Sequence, residues 1–486
     1  MTPAIVWLRR DLRLRDNAAL SAAALRGGPV VPVFIWDPQG EGAWAPGASS
    51  RAWLHHSLVA LEASLRERGS RLVVARGASA HVLEGLAREL GAGAVYWNRR
   101  YEPGAAVLEG IVNAALERRG VDARGFCSAL LFEPPAVLNR QGGPFQVFTP
   151  FWRHCLQLPV PPPVALPAGA FGPRVRKWPR SLECSDLDLL PKAGRDPIPS
   201  GGWSPGEKGA SRRLRRFVAG GLKRYGRDRD RPGRDGTSLL SPHLHFGEIG
   251  PRQAWAAVKA LSADTGVFPR DPEAATFLRE IGWREFAHHL LFHFPTTPSI
   301  PLRPGFSRFP WAEDKGHAML RAWQEGRTGY PIVDAGMRQL QESGWMHNRV
   351  RMVAASFLVK HLRISWIHGA RWFWNTLVDA DLANNTLGWQ WSAGCGADAA
   401  PYFRIFAPVK QGMRWDPEGD YVRRWVPELG PLPTRFLHAP WEAPESVLAS
   451  AGVGLGTGYP RPIVDHGAAR AAALGAFRSL RGNTHP

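Results

Sequence analysis

Acids, amides and indoles crowd the run Asp379-Ala-Asp-Leu-Ala-Asn-Asn-Thr-Leu-Gly-Trp-Gln-Trp391, which has no strong amphipathic period. If part of it is helical, Asp381, Asn385 and Trp389 recur every four residues as one stripe of carboxylate, amide and indole. Such a stripe suits a flat heteroaromatic ligand. Equally, Asp379 and Asp381 could cap a helix while Trp389 and Trp391 fill a core. Two other stretches carry similar stripes. Helical spacing groups Glu280 with Trp283 and Arg284, and Asn348 with Arg351 and Met352. Taken singly, each stripe reads best as polar core groups paired to one another. Three in one chain point to a shared site. Tyr225 also precedes Gly236-Thr-Ser-Leu-Leu-Ser241, a glycine-led run of hydroxyls ahead of an apolar helix. Thr237, Ser238 and Ser241, with Leu239 and Leu240 among them, suit a phosphate as well as a helix cap.

The elements that must position these residues divide by texture. Short apolar runs at 4–8, 30–35, 71–75 and 94–97 alternate with helical stretches that end at Gly69 and Gly91. That is the pattern of an α/β domain built on a doubly wound, Rossmann-like, five-stranded parallel sheet. No Gly-x-Gly-x-x-Gly follows the first run; Arg9-Arg-Asp-Leu-Arg-Leu-Arg-Asp-Asn17 stands there, so a standard dinucleotide-binding turn is absent. The expected divisions are an α/β domain over 1–130, a proline-rich linker over 131–205, and an all-α domain over 206–486.

A net charge of +19 points to a polyanionic partner, nucleic acid first. The 21 tryptophans exceed what core filling asks and suggest stacking or redox chemistry as well. Four scattered cysteines without Cys-x-x-Cys spacing argue against a metal site and a disulfide framework. No apolar run reaches membrane-spanning length and no signal peptide opens the chain, so the expectation is a cytoplasmic protein with no membrane partner.

Over nearly its whole length the sequence resembles the photolyase/cryptochrome family. The resemblance is carried by Trp7 to Asn17, Trp283-Arg-Glu285, Thr328-Gly-Tyr-Pro-Ile-Val-Asp334, Gly344-Trp-Met-His-Asn-Arg349, the Asp379–Trp391 run and Phe403-Arg-Ile-Phe406. It implies FAD, active as FADH−, held in the helical domain by Tyr225, Thr237, Ser238, Leu239, Leu240, Ser241, Glu280, Arg284, Asn348, Arg351, Asp379, Asp381 and Asn385. Arg351 would pair with Asp379, Asp381 would face the flavin ring edge, and Asn385 would sit by the nitrogen whose protonation follows the redox state. Glu280 and Asn348 would bond the edges of two fused pyrimidines, with Glu280 as the donor to the reacting lesion. Trp283, Trp391 and Met352 would pack on their faces, and Arg349, Arg404 and Lys410 would take DNA phosphates. Trp389, Trp366 and Trp311 match the family's electron-transfer chain.

The implied activity is light-driven repair of cyclobutane pyrimidine dimers by a monomeric bacterial deoxyribodipyrimidine photo-lyase at the nucleoid. Double-stranded DNA, and single-stranded DNA as well, would be the substrate. A (6-4) photolyase typically carries histidine where Asn348 stands. A cryptochrome often adds a long disordered carboxy-terminal tail, whereas here the family pattern runs to Tyr459–Asp465. A second antenna chromophore is implied for the α/β domain. Gly104-Ala105 replaces the Asn-Glu pair of folate-binding members, which leaves a deazaflavin, a flavin or an empty site.

Overall fold

The computed structural model describes residues 1–192, 198, 202–261, 271–399 and 403–482. The end of the expected linker over 193–197 and 199–201, and Ala400 to Tyr402 just before the Phe403–Phe406 motif, lie outside the described residues. Close contacts divide the chain into two units. The first comprises Met1–Lys223, Ser238–Pro295 and Val378–Ala383; the second comprises Arg224–Thr237, Thr296–Leu377 and Asn384–Pro486.

In the first unit, β1 (Ala4–Leu8), β2 (Val30–Trp36), β3 (Val73–Arg76), β4 (Ala94–Asn98) and β5 (Asp122–Phe126) form one parallel sheet in the order β3-β2-β1-β4-β5. Ile5 lies opposite Val31 on one side and Val95 on the other. β1 and β4 are buried from end to end, which is why both read as unbroken apolar runs. The edge strand β5, Asp-Ala-Arg-Gly-Phe, is only half-buried and carries no such signal. Helices Ala48–Arg66 and Ser79–Leu90 fall where the periodicity puts them, and the second is stopped by Gly91 at φ 60°.

The charged run after β1 makes a buried polar knot. Asn98 donates to Asp11 Oδ2 at 2.6 Å and to Asn17 Oδ1 at 2.8 Å, and Asn17 caps helix Ala18–Leu25 by accepting from Leu20 N. Arg13, 1 % exposed, donates to the carbonyls of Asp16, Ser128 and Gly247. Glu248 accepts from Trp53 Nε1 at 3.0 Å, Ser57 Oγ at 2.5 Å and Gly206 N at 2.7 Å, and contacts His243.

The stretch expected to be a proline-rich linker carries local structure. Helix Phe148–Cys155 interrupts it, and Leu182 N donates to the Val74 carbonyl at 2.9 Å, laying the chain along the β3 edge. Proline there fixes extended backbone without loosening it.

The second unit is helical. Its elements include Pro331–Ser343, Asn348–Ser356 continued by a wider turn over Phe357–His361, Trp366–Thr376, most of Leu382–Ala393, and Pro408–Trp415. No helix among the described residues is long and apolar enough to cross a membrane.

Candidate functional site

Within the first unit the organising element is helix Pro272–His293, started by Asp271, whose side chain accepts from Glu273 N and Ala274 N. Trp283 lies flat on Phe148, centroids 3.8 Å apart and planes 9° from parallel, and both rings sit beside Phe286. Glu280, one turn earlier, is half-exposed. Arg284 donates to the Ala129 carbonyl at 2.8 Å. Glu285, 2 % exposed, accepts from the backbone N–H groups of Leu131 and Phe132, and burial raises its carboxyl above the usual range.

Further along the same helix His288 meets Asp381. Its Nε2 lies 3.4 Å from Asp381 Oδ2, and His245 Nδ1 lies 3.8 Å from the same oxygen. Burial would push the Asp381 carboxyl up, but the neighbouring His288 charge and the two imidazoles hold it well below the usual range. Burial likewise opposes charge on His288, and Asp381 overrides it, so the His288 pKa is raised. The two residues line a pocket with Arg10, Arg100, Glu102 and Arg284. Glu102, buried between Arg10 and Arg100 at 3.0 Å from each, is held well below the ordinary glutamate range despite its desolvation.

The second unit carries further candidate residues on four helices and on the segments between them. His347 caps Asn348–Ser356 by accepting from Arg349 N at 3.2 Å. That start leaves Asn348 exposed and Met352 half-exposed. Arg351 donates from Nε to the Met346 carbonyl at 2.7 Å. Arg349 is paired with Asp230 at 2.7 Å and lies 4.4 Å over the Trp415 ring.

On Leu382–Ala393, Asn385 donates to the Ala370 carbonyl at 3.1 Å, and Trp389, 2 % exposed, packs edge-on against Trp323 and Phe373 at 6.1 and 5.0 Å. Trp366 is buried and Trp311 is half-exposed beside Phe309. Gln390 donates to the carbonyls of Thr297 and Ile300 and accepts from Leu302 N, anchoring the helix. Trp391, Arg404 and Lys360 line another pocket. Lys360, 1 % exposed, donates to the Ala393 carbonyl at 2.9 Å beside the Phe403 ring. Lys410 is exposed on Pro408–Trp415.

Residues 4–168 match the family model described as DNA photolyase, and residues 277–479 match the FAD binding domain of DNA photolyase. The chain is 48 % identical over 488 residues to a deoxyribodipyrimidine photo-lyase of Agrobacterium fabrum, covering 99 % of both. It belongs to the photolyase/cryptochrome family. A crystal structure of a bacterial class III photolyase from Agrobacterium tumefaciens superposes with a TM-score of 0.94 at 46 % identity, covering 99 % of this chain and 98 % of that one. Cryptochrome-1 of Arabidopsis thaliana is 41 % identical over 466 residues, covering 95 % of this chain and 68 % of the plant protein.

The flavin-binding domain that defines photolyases is thus present, and the residues fit such a group. Leu239 stands at φ 51° and is followed by Leu240 at φ −88°, ψ −6°, a tight turn in which Leu240 N donates to Ser238 Oγ at 3.4 Å and which gathers backbone N–H groups and hydroxyls of the kind that bind anions. The hydroxyls of Thr237, Ser238 and Ser241 stand in that run, with Tyr225 buried ahead of it. Sequence reading missed His288 and His245. His288 was within reach: Glu280, Arg284 and His288 continue one stripe at four-residue spacing, and the reading stopped a turn short. Among the described residues no cluster of His, Cys, Asp or Glu could hold a metal ion.

Proposed function

We infer that this protein is a deoxyribodipyrimidine photo-lyase that repairs cyclobutane pyrimidine dimers in DNA with light. The observation that carries this is the 48 % identity to a photo-lyase of that name across 99 % of both chains. Reduced FAD, when bound, supplies the photo-excited electron that opens the dimer. The protein's own residues bind, orient and exclude water.

Tyr225, Thr237 and Ser238 to Ser241 hold the diphosphate, Arg284, Arg351 and Asp379 flank the flavin, Asp381 meets its ring edge, and Asn385 faces the nitrogen that gains or loses a proton. The fixed Asn385–Ala370 hydrogen bond supports the last role, because it sets which way the amide points. Glu280 and Asn348 bond the edges of the flipped-out lesion, also near the flavin, and Trp283, Met352 and Trp391 pack on it. The Trp283–Phe148 stack supports this assignment by holding the indole rigid. Arg349, Arg404 and Lys410 bind phosphates, and Trp389, Trp366 and Trp311 pass electrons to the flavin.

The test is photons absorbed against dimers removed, on DNA carrying either cyclobutane dimers or (6-4) products. Repair of cyclobutane dimers alone supports the assignment. Repair of neither under reducing conditions favours the photoreceptor reading, to which the 41 % identity with a plant cryptochrome lends weight.

A further inference from the structure

Two oxygens hold the His288 ring in place. Nδ1 is 3.0 Å from the Arg284 carbonyl oxygen, and Nε2 is 3.4 Å from Oδ2 of Asp381. A backbone carbonyl and a carboxylate offer lone pairs only, so a ring that serves both carries a proton on each nitrogen. The pair is buried, at 6 % and 11 % side-chain exposure.

Charges on the surrounding elements cancel among themselves. Arg10, after β1, and Arg100, after β4, are matched by Glu102 and Glu41, and Arg284 lies 3.7 Å from Glu285 on the same helix. From the helix Ser241–His245, His245 faces Asp381 with Nδ1 at 3.8 Å, and its pKa is lowered by burial and by Arg10. His288 thus brings a cation to within 3.4 Å of Asp381. A buried carboxylate that lost this charge beside it would be less well compensated and easier to protonate.

We propose that His288 is a positioning residue that, as an imidazolium, keeps Asp381 ionised and oriented, and that the pair fixes the electrostatic environment of the flavin ring edge. This rests on the reading of Asp381 as a flavin contact. A protonated Asp381 would present a donor where an acceptor is needed, and an ionised one without the imidazolium beside it would disfavour any added negative charge on the ring.

The experiment is potentiometric titration of the holoenzyme from pH 5 to pH 9, read by flavin absorbance, for wild type, His288→Gln and His288→Lys. In wild type the reduction profile breaks only above the ordinary imidazole range near pH 6.5. In His288→Gln the reduced-to-oxidised ratio at a fixed potential falls several-fold at pH 8 and above, and a new pH dependence appears as Asp381 titrates. In His288→Lys, which restores a cation, the ratio returns toward wild type. A flavin-bearing Gln variant with the wild-type profile overturns the role of the pair alone. A wild type that takes up no flavin overturns the reading of the site and the pair's role with it. Should His288→Gln fail to fold, the wild-type profile decides: a break at or below pH 6.5, or none at all up to pH 9, overturns the proposal.

Discussion

The ring of Trp389 lies where a side chain on Gly369 would begin: a Cβ built there would meet the six-membered ring of the indole well inside van der Waals contact. Glycine in the middle of helix Trp366–Thr376 costs helix propensity and yields the close approach that seats this tryptophan.

Gly369→Ala should therefore displace Trp389. Helix propensity alone would stabilise the variant by about 1 kcal/mol. The expected result is the reverse, a loss of on the order of 2 kcal/mol from overpacking, together with slower photoreduction of oxidised flavin. Urea unfolding and flavin bleaching under illumination check the two arms. A stabilised variant with normal photoreduction would show that the indole can move at no cost.

Glu280 and Glu285 are on one helix and should separate cleanly. Glu280→Ala should leave folding and flavin content unchanged and lower dimers repaired per absorbed photon. Glu285→Ala removes the acceptor for two buried N–H groups and should cost about 2–4 kcal/mol of stability, with repair per photon by the folded fraction little changed. Thermal unfolding and quantum-yield measurement on both variants check this.

His347 gives the protein an acid-side weakness. Burial lowers its pKa to about 4, against an ordinary value of 6.5, so the unfolded chain binds a proton that the folded chain refuses. Stability contributed by this group is full above pH 6.5, falls as the pH drops through that window, and is lost by pH 4, on the order of 3 kcal/mol in all. Protonation also removes the ring lone pair that caps Asn348–Ser356. Unfolding free energy measured at pH 7 and pH 4.5 should differ less in His347→Asn than in wild type.

Asp334 collects four donors: Thr328 N at 2.7 Å, Thr328 Oγ1 at 2.6 Å, Gly329 N at 3.0 Å and the Tyr459 hydroxyl at 2.6 Å. Tyr459→Phe should cost about 1–2 kcal/mol and Asp334→Ala at least about 3 kcal/mol, since the second strands buried backbone donors. Chemical unfolding followed by tryptophan fluorescence gives both numbers.

DNA affinity should fall with salt at a log–log slope of roughly −0.9 per phosphate neutralised. Lys410→Gln should make that slope shallower by about one phosphate. Arg349→Gln should cost more than a phosphate contact, because that guanidinium also pairs with Asp230 and covers Trp415.

The sheet was legible wherever burial on both faces forces apolar runs, as in β1 and β4, and illegible in β5, whose half-buried Asp-Ala-Arg-Gly-Phe has no periodic signal. A candidate site is suggested by sequence where residue types are unusual together, as along Asp379–Trp391. What escaped was partnership at a distance. Nothing local tells that His245 and His288 converge on Asp381, or that Trp323 lies edge-on to Trp389, because these contacts join residues 66 to 136 positions apart and arise only from packing. Asn348 shows the converse: its spacing was read correctly, while its exposure follows from the His347 cap that starts the helix there.

Arg13 sets a condition on how the chain is made. Its guanidinium, buried almost completely, bonds carbonyls of Asp16, Ser128 and Gly247, the last 234 residues downstream. Glu248 imposes the same wait on Trp53 and Ser57. A nascent chain emerging from the ribosome can thus complete its five strands well before it can satisfy the loop that follows the first of them. For that interval, many seconds at ordinary synthesis rates of about 5–20 residues per second, Arg13 can bond Asp16 and Ser128 but lacks the Gly247 carbonyl. Truncation near residue 168 would make that state permanent.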